Sequence, residues 1–258
     1  MRTATTDDVA DLLAGRERVL CALAAEPASK RTLEDRLSVS RSTVDRAIRD
    51  LQSHSLVVYE DRQYHLTAAG RYGLTVHEEA GERLSSLAAA SDVLASVDRD
   101  APLDADFVAG AEVVRASPPT PDAVVSRLLD SVARTDHVDG VAPVALMGHL
   151  DAFYDEATAD GGSVRLLVEH GLLDSLVTAN GDPLRRGIED PAVSLERATV
   201  PFDVGLWLAD DREAGVVVYT ETGVKAVLVN DDPAAVEWAR ETFERVAETA
   251  TPFERNGR

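Results

Sequence analysis

The sequence predicts an α+β protein with two folded domains. Residues 1–75 carry three helical patterns followed by two short strand patterns, whereas helical and strand patterns alternate after residue 121. Prolines interrupt the stretch between these two parts, at Pro102, Pro118, Pro119 and Pro121. The 258 residues and the 45% hydrophobic content suffice for two cores. We therefore expect domains at 1–75 and 122–258, joined by a helical connector and proline-rich linker at 76–121.

The first two helices are predicted from the spacing of apolar residues. Between Val9 and Leu23 these residues recur at steps of three and four, with Gly15 as a position where the helix could divide. Ser29 or Thr32 can cap a short second helix. The single cysteine, Cys21, has apolar neighbours in the first helix, so a buried side chain is expected.

After a tight turn at Ser38-Val39, a third helix is predicted to run from its cap at Ser40 to Leu51. At about 100° per residue, one side of this helix is apolar and the other is cationic. In a chain of net charge -20, an arginine-bearing face indicates a polyanionic partner. We interpret it as a DNA recognition helix. Its candidate contact residues are Arg41, Ser42, Thr43, Arg46 and Arg49.

Two strand patterns, 56–60 and 63–67, predict a hairpin whose tip is Asp61-Arg62. Three helices and such a hairpin form a winged helix-turn-helix, in which the third helix enters the major groove and the wing touches the nearby backbone or minor groove. Arg62 is therefore a sixth candidate for DNA contact. From Ala28 to Arg71 the net charge is +2, against -22 for the remainder, and this contrast supports a nucleic-acid face.

The rest of the chain predicts a helix, a linker and an α/β domain. The helix runs from Arg71 to about Val97, with Gly81 as a potential break, and either connects the domains or pairs two subunits. Residues 107–116 could form a short strand. Later helices are predicted at 124–132, 146–158 and 172–179 and after Asp232-Pro233, and strands at 141–144, 164–168, 198–202, 204–208, 215–219 and 224–229. Three consecutive strands favour an antiparallel meander, so a mixed, partly antiparallel sheet is expected.

Three motifs in the first 75 residues fall where haloarchaeal winged-helix regulators carry them. These are Leu33-Glu34-Asp35-Arg36-Leu37, the run from Ser40 to Arg46, and Leu66-Thr67-Ala68-Ala69-Gly70. The first domain therefore resembles those regulators, and the resemblance implies transcriptional control through double-stranded DNA. Ser55 departs from the pattern, because these domains usually carry glycine between recognition helix and wing.

Three further motifs lie in the second half, at residues 202–208, 215–219 and 231–243. The last of them combines an acidic residue and proline with a later Glu-Trp-Ala and Phe. This half resembles the carboxy-terminal domain of archaeal regulators related to the methanogenesis filament regulator. The resemblance implies an effector-sensing or dimerisation domain without indicating a ligand.

The composition is typical of haloarchaeal proteins, since 46 acidic residues accompany 24 arginines and only two lysines. Concentrated salt weakens the attraction of a protein for phosphates, so shape and base contacts must supply more of the selectivity. No apolar run approaches the roughly 20 residues of a membrane span, and the first residues lack the apolar region of a signal peptide. We expect a cytoplasmic protein that does not contact a membrane.

Catalysis is not expected, because the sequence lacks zinc, phosphate-loop and nucleophile-elbow motifs and the His-x-Lys-x-x-x-x-Asp motif of phospholipase D. No cofactor or metal is indicated. Candidates for binding a small-molecule effector are His149, Arg165, Glu169, Trp207, Tyr219 and Lys225. Ordinary core or surface positions explain each of them as well. The leading hypothesis is a homodimeric DNA-binding regulator; the alternative is a small-molecule-binding or protein-interaction module whose winged helix serves as a dimer scaffold.

Overall fold

The computed structural model describes residues 5–117, 122–133, 135–144, 149–178, 182–221 and 223–253. The chain divides between Leu84 and Ser85 into two compact units. Helices and strands occur in both units, and the predicted α+β class is confirmed. None of the helices within the described ranges is both long and apolar enough to cross a bilayer.

The first unit is a winged helix-turn-helix, as predicted. Its elements are α1 (Thr6–Ala25), α2 (Lys30–Leu37), α3 (Arg41–Ser53), β1 (Val57–Glu60), β2 (Gln63–Leu66) and the start of α4 (Ala68–Leu94). The strands pair antiparallel, with Val57 opposite Leu66. The core lies where the helices meet, and its side chains with at most 1% exposure include Leu20, Leu33, Val44, Ile48 and Leu51.

Neither glycine that could have divided a helix does so. Gly15 lies inside an uninterrupted α1, and Gly81 lies inside an uninterrupted α4. A Cβ atom at either position would meet no atom within 4 Å. The flanking residues therefore outweigh the modest helix propensity of one glycine, which costs roughly 1 kcal/mol relative to alanine.

The prediction that Cys21 is buried was wrong. Cys21 is exposed on α1, whereas its neighbours Leu20 and Leu23 face the core. One residue advances a helix by about 100°, so Cys21 projects away from the side that buries Leu20. Partial desolvation and the nearby Glu17 and Glu78 carboxylates raise the pKa of its thiol.

The second unit contains an eight-stranded sheet, which is mixed, as predicted. Its strands are β3 (Glu112–Arg115), β4 (His137–Ala142), β5 (Ser163–Glu169), β6 (Val193–Ala198), β7 (Gly205–Ala209), β8 (Glu213–Thr220), β9 (Gly223–Asn230) and β10 (Thr251–Pro252). Their spatial order is β10-β6-β5-β4-β7-β8-β9-β3. The pairs β4–β5 and β5–β6 are parallel, and the remaining pairs are antiparallel.

Helices cover both faces of this sheet. They are the end of α4, α5 (Ala105–Val108), α6 (Ala123–Val132), α7 (Leu150–Ala157), α8 (His170–Thr178), α9 (Asp182–Glu189) and α10 (Pro233–Ala247). On one face, Phe243 of α10 and Phe107 of α5 belong to the same buried cluster as Leu206. On the other face, Val124 of α6 packs in a cluster with Trp207 and Val217. Alternation along each strand places Leu206 and Trp207 on opposite faces.

Several predicted elements required correction. Residues 107–116 form helix α5 and strand β3 with a turn between them, rather than one strand. Strand β4 begins at His137 instead of 141, and strand β6 occupies Val193–Ala198 instead of 198–202. Helix α9 and strand β10 were not predicted. These short segments depend on partners distant in sequence, since β10 pairs with β6 and β3 pairs with β9.

Three expectations fall partly outside the described residues. They are the first positions of the helix predicted at 146–158, the last position of the one at 172–179, and the proline break at 118–121. Residues 85–117, treated above as connector and linker, contribute Ala90, Val93 and Phe107 to the core of the second unit. The domain boundaries at 75 and 121 stay a prediction.

Candidate nucleic-acid interface and ligand cavity

Helix α3 presents a polar face built by its own sequence. Ser40 caps the helix, with its Oγ accepting a hydrogen bond from the Thr43 amide at 3.3 Å. Ser38, in the left-handed conformation at φ 53°, makes the turn from α2. Val44, Ala47, Ile48 and Leu51 are buried, and the five candidate residues all lie on the exposed side: Arg41, Ser42, Thr43, Arg46 and Arg49.

Both acidic residues of α3 are paired with cations from other helices. The Lys30 ammonium of α2 lies 2.6 Å from Asp45, and Arg16 of α1 lies 2.8 Å from Asp50. The hydrogen bond from Lys30 lowers the pKa of Asp45, so this carboxylate stays ionised and its charge stays compensated. Within the described residues, Arg46 and Arg49 form no ion pair. The charges of these two arginines are therefore not compensated by carboxylates of the described residues, whereas Arg41 lies 3.9 Å from Asp45.

Arg62 lies at the tip of the hairpin and is exposed to solvent. Asp61 and Arg62 have φ angles of 48° and 64°, the combination of a two-residue type I′ turn between Glu60 and Gln63. Arg62 is exposed, and no ion pair to it occurs in the part of the chain that the structure describes. The turn thus places a cation at the end of the wing.

Thr67 links the turn that follows α3 to the first turn of α4. Its Oγ1 donates to the Ser55 carbonyl oxygen at 2.7 Å and accepts from the Gly70 amide at 3.0 Å. Gly70 packs so closely on the wing that a Cβ there would lie 2.1 Å from the Leu56 carbonyl oxygen. Ser55 adopts the left-handed conformation at φ 59°, which glycine adopts with less strain than serine.

Three of the six ligand candidates line one cavity of about 150 Å³ in the second unit. We call it the α6–α7 cavity, because helices α6 and α7 close it against strands β4, β5, β7 and β8. His149, Trp207 and Tyr219 contribute to its wall. Trp207 is 3% exposed, and burial raises the pKa of Tyr219 strongly. Tyr219 therefore stays a neutral phenol.

The other three candidates lie elsewhere and are engaged with protein groups. The Arg165 guanidinium is 2.7 Å from Glu196, and an oxygen of Glu169 accepts from the Val200 amide at 2.8 Å. The Lys225 ammonium donates to the Asp92 carbonyl oxygen at 2.6 Å, near the carboxyl end of α4. A cation is favourable there, because the last helical carbonyls carry partial negative charge. These contacts give each side chain a role in the fold.

Sequence reasoning missed most of the cavity wall. Phe153 of α7 and Leu166 of β5 line it, together with Leu128 and Leu129 of α6. Apolar residues at helical or strand spacing predict burial in general, and nothing in their pattern distinguishes a filled core from a cavity. Gly205 was a weak signal, since a Cβ at that position would lie 2.6 Å from the Tyr219 hydroxyl.

Two family models match the chain. The one described as the middle domain of the methanogenesis regulatory protein FilR1 matches residues 121–249, half of the sequence. The chain belongs to this family of regulators. The model of the HVO_A0261 N-terminal domain matches residues 6–91, which include the winged helix-turn-helix. Membership of the FilR1 family makes the protein a transcriptional regulator, and it confirms the resemblance found in the sequence.

Solved structures resemble this FilR1-family chain only distantly. The archaeal chromatin protein TrmBL2 is 14% identical, with 96% of this chain and 100% of the other covered and a TM-score of 0.43. NucT from Helicobacter pylori is 10% identical, covering 55% and 98%, with a TM-score of 0.46. Nuc of Salmonella typhimurium, a phospholipase D family member, is 11% identical, covering 57% and 99%, with a TM-score of 0.43. Similarity at this level does not bear on function, and no curated protein matches the chain.

Proposed function

We propose that this regulator is a cytoplasmic haloarchaeal protein that binds double-stranded DNA sequence-specifically through helix α3 and the wing. The observation that carries the proposal is the charge distribution of α3. Asp45 and Asp50 are compensated by Lys30 and Arg16. Among the described residues, Arg46 and Arg49 form no ion pair, and Arg41 lies 3.9 Å from Asp45. Arginine is suited to this task because its planar donors match the acceptor edge of guanine and the phosphate oxygens.

The six DNA-contact candidates divide into two sets by position. Arg41, Ser42, Thr43, Arg46 and Arg49 lie on the helix that enters the major groove in winged-helix domains. Arg62, at the wing tip, is placed for the adjacent backbone or minor groove. Base contacts by the helix give sequence selectivity, while the wing adds affinity and fixes orientation.

The decisive test is fluorescence anisotropy of the full-length protein with labelled genomic fragments in molar potassium chloride. We expect a subset of promoter fragments to bind while an excess of unrelated competitor DNA is present. Uniform binding to all fragments, or loss of all binding in the presence of competitor, would overturn the proposal. The latter result would favour the alternative of an interaction module that uses the winged helix as a scaffold.

The protein is further proposed to act as a homodimer through α4. Four large apolar side chains along this helix are exposed: Tyr72 at 75%, Val76 at 41%, Leu84 at 66% and Leu87 at 52%. Their spacing of four, eight and three residues keeps them on one side of the helix. A second copy would bury this stripe and would present two recognition helices to half-sites about one helical turn apart.

The second unit is proposed to sense a small molecule that changes the DNA affinity. The support is the α6–α7 cavity, which brings together His149, Trp207 and Tyr219. Arg165, Glu169 and Lys225 are not part of that proposal, since their charges are held by other groups of the protein. Anisotropy titrations with and without a bound ligand would measure the coupling directly.

A further inference from the structure

The α6–α7 cavity has a predominantly apolar wall. Aliphatic and aromatic side chains form most of it, and among the residues that the structure describes no Asp, Glu, Lys or Arg lines it. The polar side chains that reach it belong to His149, Trp207 and Tyr219. An ionised ligand would lose its hydration without gaining a compensating charge, which is strongly unfavourable. The wall therefore selects neutral molecules.

The volume of the cavity limits the size of the ligand. A cavity of about 150 Å³ is comparable to the engineered apolar cavity that stays dry and takes up benzene. One six-membered ring fits such a space, whereas a nucleotide does not. Val144 lines the cavity and is 44% exposed, so the cavity reaches the surface beside this residue.

The surrounding structure keeps the cavity from collapsing. Trp207 lies across Gly215 of the adjacent strand, where a Cβ would be only 1.9 Å from its ring. Helix α6 is held over the sheet by Arg127, whose guanidinium lies 2.7 Å from Glu213 and 2.9 Å from Glu112. The packing of the Trp207 ring and the ion pairs of helix α6 both oppose movement of these groups into the cavity.

Aromatic side chains on the wall favour an aromatic ligand. Phe153, Trp207 and Tyr219 can meet a ring edge to face or in offset stacking. The Tyr219 hydroxyl donates to the Val144 carbonyl oxygen at 3.4 Å, a long hydrogen bond. That hydroxyl can instead bond to a polar substituent of the ligand. We propose that the α6–α7 cavity binds a neutral, single-ring aromatic molecule bearing at most one small polar group.

The proposal is tested by saturation-transfer NMR on the full-length protein with toluene, phenol and benzoate as probes. Toluene and phenol are expected to bind, while benzoate, which carries the same ring with a charge, binds at least about tenfold more weakly. Absence of both toluene and phenol binding, or benzoate binding as tight as phenol binding, would overturn the proposal.

Three variants locate the binding in the cavity. Ala142→Leu fills part of the space and should abolish binding of both neutral probes; Leu150→Phe fills it from α7 and replaces that variant should Ala142→Leu fail to fold. A folded cavity-filling variant that binds toluene like the wild type would refute the site. Tyr219→Phe should weaken phenol roughly fivefold and leave toluene unchanged, because only phenol uses the hydroxyl.

The role of this ligand as an effector rests on the proposed function, but its binding does not. The NMR titration contains no DNA, so a failure of DNA recognition leaves its result intact. Conversely, anisotropy without added ligand measures DNA recognition alone. The two proposals can therefore fail separately.

Discussion

The indole of Trp207 lies directly over Gly215, its cross-strand partner on β8. A Cβ on residue 215 would lie 1.9 Å from Trp207 Cζ2. The indole ring or the backbone would have to move to relieve this clash. Because Trp207 lines the α6–α7 cavity, the residue at position 215 affects the wall of this cavity. One residue without a side chain thus creates the space that a large ring occupies.

Gly215→Ala is expected to destabilise the protein, because the added methyl group must displace a buried ring. Overpacking of this kind costs roughly 1–3 kcal/mol in the free energy of unfolding. Chemical denaturation in concentrated salt measures the change. Gly223→Ala is the matched control, since a Cβ there meets no atom within 4 Å. Equal effects of the two substitutions would contradict the tight packing of Trp207 on residue 215.

Arg46→Ala and Arg49→Ala are expected to weaken binding to a selected DNA fragment. Each arginine that makes a bidentate contact to a base contributes roughly 1–3 kcal/mol. Fluorescence anisotropy gives the dissociation constants, and circular dichroism verifies the fold. Arg99→Ala removes the same charge from a side chain that is 90% exposed in the second unit, and it should leave the affinity close to that of the wild type. Wild-type affinity in both α3 variants would mean that another surface contacts DNA.

Arg62→Gly is expected to lower the affinity for DNA without lowering the thermal stability of the protein. The residue has φ 64°, which glycine adopts readily, and Asp-Gly is a preferred type I′ sequence. The melting temperature should therefore hold or rise while DNA affinity falls, because the cation at the tip is lost. A parallel loss of stability would argue against the type I′ geometry, and unchanged affinity would remove Arg62 from the interface.

Ser55→Gly is expected to stabilise the first unit. Ser55 is held at φ 59°, and the left-handed conformation costs a non-glycine residue about 1–2 kcal/mol. The greater freedom of glycine in the unfolded chain offsets part of that gain, leaving roughly 0.5–1 kcal/mol. Ser53→Gly, at the last residue of α3, should have the opposite sign, because it loses the hydrogen bond from the Ser53 Oγ to the Asp50 carbonyl oxygen at 2.7 Å and makes the unfolded chain more flexible. Thermal unfolding of both variants distinguishes a strained turn from a general effect of glycine.

Leu84→Glu and Leu87→Glu are expected to shift a homodimer toward monomer. Each substitution places a charge in the exposed apolar stripe of α4, where a partner helix would have to desolvate it. Light scattering after size-exclusion chromatography reports the mass over a range of protein concentrations. Ser85→Glu adds the same charge at an exposed position on another side of α4 and should not change the mass. A wild-type protein that is monomeric at all concentrations would contradict the dimer.

Much of the first unit could be read from the sequence because its information is local. The Ser40 cap, the buried face of α3 and the turn at Asp61-Arg62 depend on residues only a few positions apart. In α10, Asp232 and Pro233 likewise mark the first turn as expected. Such features can be predicted from a single sequence, since helix periodicity and capping depend on neighbouring residues and need no distant partner.

The remaining features were decided by tertiary contacts. Strand β10 exists because β6 lies beside it, and Cys21 is exposed because the core approaches α1 from another side. The sequence alone gave the same candidate role, binding of a small molecule, to six residues: His149, Trp207, Tyr219, Arg165, Glu169 and Lys225. Only folding showed that three of them share a cavity, whereas the charged three already have partners. The physical reason is that composition specifies which groups must be buried or paired, but the packing of distant segments determines with which neighbours.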